Sequence, residues 1–193
     1  MGNATNLSFK PANPGPLGLN CFALTTFLLS LVNAGIIDGE AAGHVWLTLA
    51  LVLGGAVQVL AGMWEFKTQN VFAATAFSSY GGFWIGLGLI PIFVNRGIIV
   101  NTEVNTTLLG WYLVAFTIFT FYMWIASFKT SRALAVVFTA LLITFILLDI
   151  GHLVNPTFNI AGGYIGIITA LCAWYVSAAG VLNEVYGKVI LPV

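Results

Sequence analysis

The chain has 193 residues, 60% of them hydrophobic and only 6% charged, with a formal net charge of zero. Mean hydropathy is +1.01. A soluble domain carries about 25% charged residues, so these values exclude an ordinary soluble enzyme, and the balanced charge gives no basic surface for nucleic acid.

In chain order, residues 1–16 form a polar leader rich in Asn and Pro. Six apolar stretches follow, at roughly 17–35, 44–64, 71–94, 107–126, 132–150 and 161–182, and residues 183–193 form a short tail. The hydrocarbon core of a bilayer is about 30 Å thick and needs roughly 20 apolar residues per helix. A lipid-exposed span must satisfy its own backbone hydrogen bonds, and long unbroken apolar runs do so as helices. The expected fold is therefore an all-α membrane protein with a six-helix transmembrane domain over residues 17–182, in the cell membrane. Lys10, Lys67, Lys129, Arg132 and Lys188 fall on one side and Arg96 alone on the other. The positive-inside rule puts the richer side, with both termini, in the cytoplasm. Trp46, Trp64, Trp111 and Trp124 lie near span ends, as an interfacial belt would. Trp84 and Trp174 lie deeper and call for a packing or pore role.

Steps of three and four residues place polar side chains in stripes. Span 1 aligns Phe22, Thr26, Leu29 and Asn33. Span 2 aligns His44, Thr48, Leu51, Gly55, Gln58, Gly62 and Glu65, and Gln58 is too deep to face lipid. Span 3 carries Thr75, Ser79, Gly82 and Gly86 on one face, and Phe77, Tyr80, Trp84 and Leu87 on another. Span 5 aligns Leu141, Phe145, Leu148 and His152, with Asp149 beside them. Span 6 aligns Gly166, Ala170, Ala173 and Ser177. Thr26, Asn33, Gln58, Thr75 and Ser79 are the candidate polar pore lining. Gly82 to Gly86 and Gly162 to Gly166 match the small-residue spacing that promotes close helix packing in membranes.

No Ser/His/Asp set, phosphate-binding glycine loop or HExxH motif is present, so no enzyme activity is indicated. No Cys/His cluster has metal-ligand spacing, and no cofactor is implied. Cys21 and Cys172 fall inside spans and read as small packing residues. A pathway for a small solute accounts for the polar stripes.

Asn13-Pro14-Gly15-Pro16-Leu17-Gly18-Leu19 opens span 1. Pro14 drives Asn13 towards an extended backbone, and Pro16 suits the first helical positions. The resulting helix N-terminus carries partial positive charge that attracts anions. This stretch resembles the NPAPLGL signature of the acetate uptake transporter family, the succinate–acetate permeases or Gpr1/Fun34/YaaH group, with Gly15 in place of the usual Ala. Thr75 to Trp84, Gly62 to Lys67, and Leu182 to Glu184 with Tyr186-Gly187 and Leu191-Pro192 resemble further family motifs in the same order. The resemblance covers essentially the whole chain.

The resemblance implies a six-helix protomer around its own pore, hexameric assembly, and passage of acetate, with succinate in some members. It places a hydrophobic constriction on Phe22, Tyr80 and Leu141, and a small pore-lining position at Ala173. Whether a proton travels with acetate stays open, as do two rival readings: a channel for a neutral solute such as urea or water, and a membrane sensor that moves nothing.

Overall fold

The computed structural model describes residues 11–100 and 103–193, and the side chains of these except 39–44 and 103–106. His44 of the span 2 stripe, Lys10, and all but the end of the expected leader lie outside the described side chains. The described residues form helices α1 (Gly15–Asn33), α2 (Gly39–Leu51), a π-helical segment (Val52–Val57), α3 (Gln58–Lys67), α4 (Val71–Asn95), α5 (Glu103–Ser127), α6 (Arg132–Leu153) and α7 (Thr157–Tyr186). Six helices, with Val45–Lys67 counted as one, are long and apolar enough to cross a membrane. The six expected spans therefore all appear, with bounds that differ by a few residues: α1 lies two residues earlier, and α7 extends four residues beyond each expected end.

Local chemistry explains where the helices start and stop. Asn70 and Ser131 cap α4 and α6, accepting from the Ala73 and Leu134 backbone N–H groups at 3.1 and 3.2 Å. A side-chain oxygen there satisfies one of the free N–H groups at a helix start. Gly187 ends α7 in the left-handed conformation, φ 63°, which glycine adopts without a Cβ penalty. The tail then folds back. Asn183 Oδ1 accepts from the Ile190 and Leu191 N–H groups, its Nδ2 donates to the Leu191 carbonyl, and the Tyr175 hydroxyl donates to the Pro192 carbonyl.

The helices close into a ring in the order α1, α3, α4, α5, α6, α7. Its most extensive contact joins α1 to α7, and its thinnest joins α4 to α5. Small residues allow the close approaches. A Cβ added to Gly163 would lie 2.7 Å from the backbone of Asn33 and Ala34, and one added to Gly18 would lie 2.6 Å from the Phe77 ring. Aromatic side chains bridge the thin α4–α5 contact: Phe83 stacks on Tyr112 at 5.6 Å, and the Tyr112 hydroxyl donates to the Phe83 carbonyl at 2.8 Å. The Trp174 indole N–H donates to Asn20 Oδ1 at 3.1 Å, so this deep tryptophan serves α7–α1 packing.

The π-helical segment is a departure from the single regular span expected. Gly54 and Gly55 lie inside it. A Cβ on Gly54 would meet the Thr25 side chain at 2.5–2.9 Å, and one on Gly55 would meet Ile85 at 2.6 Å. A π-helical turn changes the phase of the helix around its axis. The residues after it, Gln58, Ala61, Gly62 and Glu65, are all buried.

Candidate functional site

Two cavities enter the helix ring from opposite ends. The first, about 370 Å³, opens where α1, α4 and α6 finish, and reaches Asn33, Asn95 and His152. The second, about 150 Å³, opens where those helices begin, and reaches Asn13, Asn70 and Thr130. We call them the Arg96-end and Lys67-end cavities. Three residues line both: Phe22 from α1, Tyr80 from α4 and Leu141 from α6. All three are buried, at 6%, 3% and 4% exposure, so the cavities abut at an apolar and aromatic junction.

The junction is held from behind. The Phe22 and Tyr80 rings lie 6.0 Å apart. Tyr80 packs edge-on against Phe119 at 5.1 Å and tilts against Phe138 at 6.4 Å. Its hydroxyl shares a 2.8 Å hydrogen bond with the hydroxyl of fully buried Thr120 on α5. The ring thus borders both cavities while the hydroxyl is engaged by α5.

Polar atoms without a hydrogen-bond partner flank the junction on each side. Thr26 and Trp84 line the Arg96-end cavity, and Thr26 Oγ1 and Trp84 Nε1 are buried without a partner. Each follows its junction residue, Phe22 or Tyr80, by four positions, hence by just over one helical turn or roughly 6 Å. Gln58 and Glu65 line the Lys67-end cavity, and Gln58 Oε1 and Nε2 and Glu65 Oε1 are buried without a partner. A buried polar group with no partner costs about 1–3 kcal/mol. These groups can instead offer hydrogen bonds to a solute. Pro91 adds to the Arg96-end wall, because its missing N–H frees the Leu87 carbonyl from its helical bond.

The other expected positions divide. Asn33 lines the Arg96-end cavity together with the rest of its stripe, Phe22, Thr26 and Leu29, and so does the whole α6 stripe, Leu141, Phe145, Leu148 and His152. Thr75 and Ser79 line neither cavity. Ser79 and Gly82 instead border a groove between α4 and α5 with Ala115, Phe116 and Phe119, so the aromatic face of α4 turns inward. Ala173 is fully buried in the apolar core and lines neither cavity. Asp149 and His152 part company. His152 lines the Arg96-end cavity, whereas Asp149 Oδ2 accepts from Thr117 on α5 at 2.6 Å.

The opening motif works largely as a structural joint. Asn13 Oδ1 accepts from the Gly15 N–H at 2.9 Å, and the Pro14 carbonyl accepts from the Gly18 N–H at 3.1 Å. That leaves the Gly15 N–H unavailable to an anion. The Pro16 carbonyl accepts from Ser177 on α7 at 2.6 Å. Asn13 and Leu19 line the Lys67-end cavity, while Leu17 points outward at 48% exposure.

Sequence reasoning passed over Ser30, Trp46 and Thr144, which line the Arg96-end cavity, and gave Glu65 no role. Ser30 and Thr144 each lie three or four positions from a stripe residue, so a wider stripe would have included them. Trp46 near a span end reads as an interfacial residue, and only the tertiary packing turns it inward.

Comparisons with known proteins agree with this architecture. The chain is 38% identical over 194 residues to the succinate-acetate/proton symporter SatP of Escherichia coli (strain K12), covering 100% of this chain and 98% of that protein. It is 42% identical over 182 residues to accumulation of dyads protein 2 of Saccharomyces cerevisiae, covering 91% of this chain but 63% of the longer yeast protein. The solved structure of the bacterial acetate channel SatP superposes with a TM-score of 0.90 at 38% identity, covering 95% of this chain and 99% of that one. The GPR1/FUN34/yaaH family model matches residues 2–193, and this multi-pass membrane protein belongs to that family.

Proposed function

We propose that this chain carries acetate and other small monocarboxylates across the membrane, with Phe22, Tyr80 and Leu141 as the size-selecting constriction. The observation that carries the reading is the pair of opposed cavities whose shared walls are those three side chains. Support comes from the relatives, one named a succinate-acetate/proton symporter and one an acetate channel. The same relatives support transport, rather than covalent chemistry, as the activity of this chain.

The physics sets the division of labour. A bare carboxylate entering hydrocarbon faces an idealised Born penalty of order 20 kcal/mol. Hydrogen-bond donors on both sides of the constriction offset part of it: the Thr26 hydroxyl and Trp84 indole on one side, the Gln58 amide on the other. Among the described residues no Lys or Arg lines either cavity, so none of them is a fixed cation that traps the anion. Weak sites suit flux, because conduction needs release as well as entry. The apolar junction accepts the acetate methyl and resists a hydrated ion.

The test is flux of labelled acetate and labelled urea in proteoliposomes against protein-free vesicles. Acetate flux above the lipid background, with urea at background, is the expected result. Equal urea flux would make this a neutral-solute channel, and absence of both would leave the sensor reading.

The orientation we propose puts the Lys67 end in the cytoplasm, on the basic-residue bias. In intact cells a membrane-impermeant thiol reagent should label Ile98→Cys and spare Lys67→Cys, each made in a Cys21→Ala, Cys172→Ala background. The reverse pattern would invert the topology.

A further inference from the structure

We infer that Glu65 is a carboxylate-binding and proton-binding site in the Lys67-end cavity, taking up one proton together with each substrate carboxylate; this rests on the acetate reading above.

The geometry is specific. Glu65 is 1% exposed and lines the Lys67-end cavity. Oε2 of its carboxyl accepts from the Thr68 hydroxyl at 2.8 Å, and the Asn70 side chain stands beside the carboxyl. Oε1 has no partner. Gln58, two helical turns deeper on the same helix and also 1% exposed, has both amide atoms unpartnered and lines the same cavity beside the junction. The two form a track from mouth to junction.

The surroundings leave Glu65 as the group that must respond to an arriving anion. Lining the cavity with it are Asn13 from just before α1, Gly15 and Leu19 from α1, Asn70, Ala73 and Phe77 from α4 and its cap, and Thr130 and Leu134 from α6 and the turn before it. None of these titrates. Among the described residues the other titratable side chain lining this cavity is Tyr80, whose hydroxyl is bonded to Thr120. Lys67 and Lys129 at this end are exposed and outside the lining. The positive pole of α1 is also near, since a Cβ on Gly15 would stand 3.5 Å from Glu65 Oε1.

A substrate carboxylate reaching Oε1 puts two carboxyl groups in one small cavity. Two carboxylates in hydrogen-bond contact cannot both stay ionised, and the pair holds one proton between them. The step is a protonation: a proton, carried by the acid or taken from the aqueous mouth, ends as a hydrogen bond from one carboxyl oxygen to the other. The pair keeps one negative charge, and no other bond forms or breaks. On release the substrate leaves as anion and the proton leaves Glu65, or both leave together as the acid.

The test is the pH dependence of protein-specific acetate flux in proteoliposomes, with equal pH on both sides and protein-free vesicles subtracted. The variants are Glu65→Gln and Glu65→Asp. With one proton per carboxylate, wild-type flux falls by up to about tenfold per pH unit once pH is above the titration range. Glu65→Gln supplies a permanent amide donor, so its flux varies less than about twofold over the same range, while Glu65→Asp restores the slope. An unchanged slope in Glu65→Gln would assign the proton to the substrate acid alone and overturn the inference. Wild-type vesicles without acetate flux would instead overturn the transport reading. A wild-type measurement covers a variant that fails to fold. A hydrophobic carbodiimide, which reacts with protonated buried carboxyls, should modify Glu65, and acetate should reduce that modification at least several-fold by peptide mass spectrometry. Modification that acetate leaves unchanged, or no modification at any pH, counts against the site.

Discussion

Leu141→Ala raises the lactate-to-acetate flux ratio by roughly tenfold, the scale at which a pocket discriminates one small substituent. Leu141 is 4% exposed and supplies the one aliphatic wall of a junction otherwise made by Phe22 and Tyr80. Removing its branched end widens the passage where the cavities meet. Lactate is larger than acetate by a CH(OH) unit, and the width at the junction decides which of the two passes. The substitution also costs stability, about 2–5 kcal/mol for a buried Leu→Ala, so flux is normalised to folded protein. If Leu141 served only as packing, both fluxes would fall together and the ratio would not move. Tyr80→Phe is the control. It keeps the ring and removes a hydroxyl that is bonded to Thr120 rather than directed at substrate. The ratio should stay at the wild-type value, with about 1 kcal/mol of stability lost with the hydrogen bond.

The second large effect is on folding. Gly163→Ala should abolish or sharply reduce monodisperse protein in mild detergent, while Gly82→Ala should leave the yield unchanged. A Cβ at Gly163 would stand 2.7 Å from Ala34 Cα and from the Asn33 carbonyl carbon, at the α1–α7 contact. Backbone cannot swing aside as a side chain can, so the helices must separate. Overpacking costs about 1–3 kcal/mol and occasionally more, and here it acts on the most extensive helix contact in the ring. At Gly82 nothing lies within 4 Å of the added carbon. Size-exclusion chromatography and thermal unfolding of the two variants measure the difference. Equal behaviour would mean that small residues are not what lets α1 and α7 approach.

Gly82 to Gly86 and Gly162 to Gly166 share a spacing but not a role. In α7, Gly162 and Gly166 lie against Leu148 and Ser30, and neighbouring Gly163 against α1. In α4, Gly82 faces a groove and Gly86 lies against the Tyr112 side chain. Sequence spacing names positions where helices can come close. Which of them do so depends on which neighbour arrives.

The number and extent of the membrane helices were legible because water and hydrocarbon differ so strongly for every residue. Twenty apolar positions in a row have one stable environment, and that constraint acts on each span alone. The stripes Phe22–Thr26–Leu29–Asn33 and Leu141–Phe145–Leu148–His152 were legible for a similar reason, since polar atoms among them are costly against lipid, and both line the Arg96-end cavity. The family resemblance pointed to Phe22, Tyr80 and Leu141 as a set, and all three line both cavities. What the sequence did not contain was the rotation of each helix about its own axis. Lipid is as apolar as the interior, so a mostly apolar helix has no hydrophobic preference for either face, and packing decides. Hence α4 turns Tyr80 and Trp84 inward and leaves Thr75 and Ser79 out of both cavities. Hence Ala173 packs in the core, Asp149 bonds Thr117, and the π-helical turn before Gln58 precedes the face that carries Glu65 into the Lys67-end cavity. Hydropathy determined which segments enter the membrane; only the fit of side chains between helices decided which of their atoms a solute can meet.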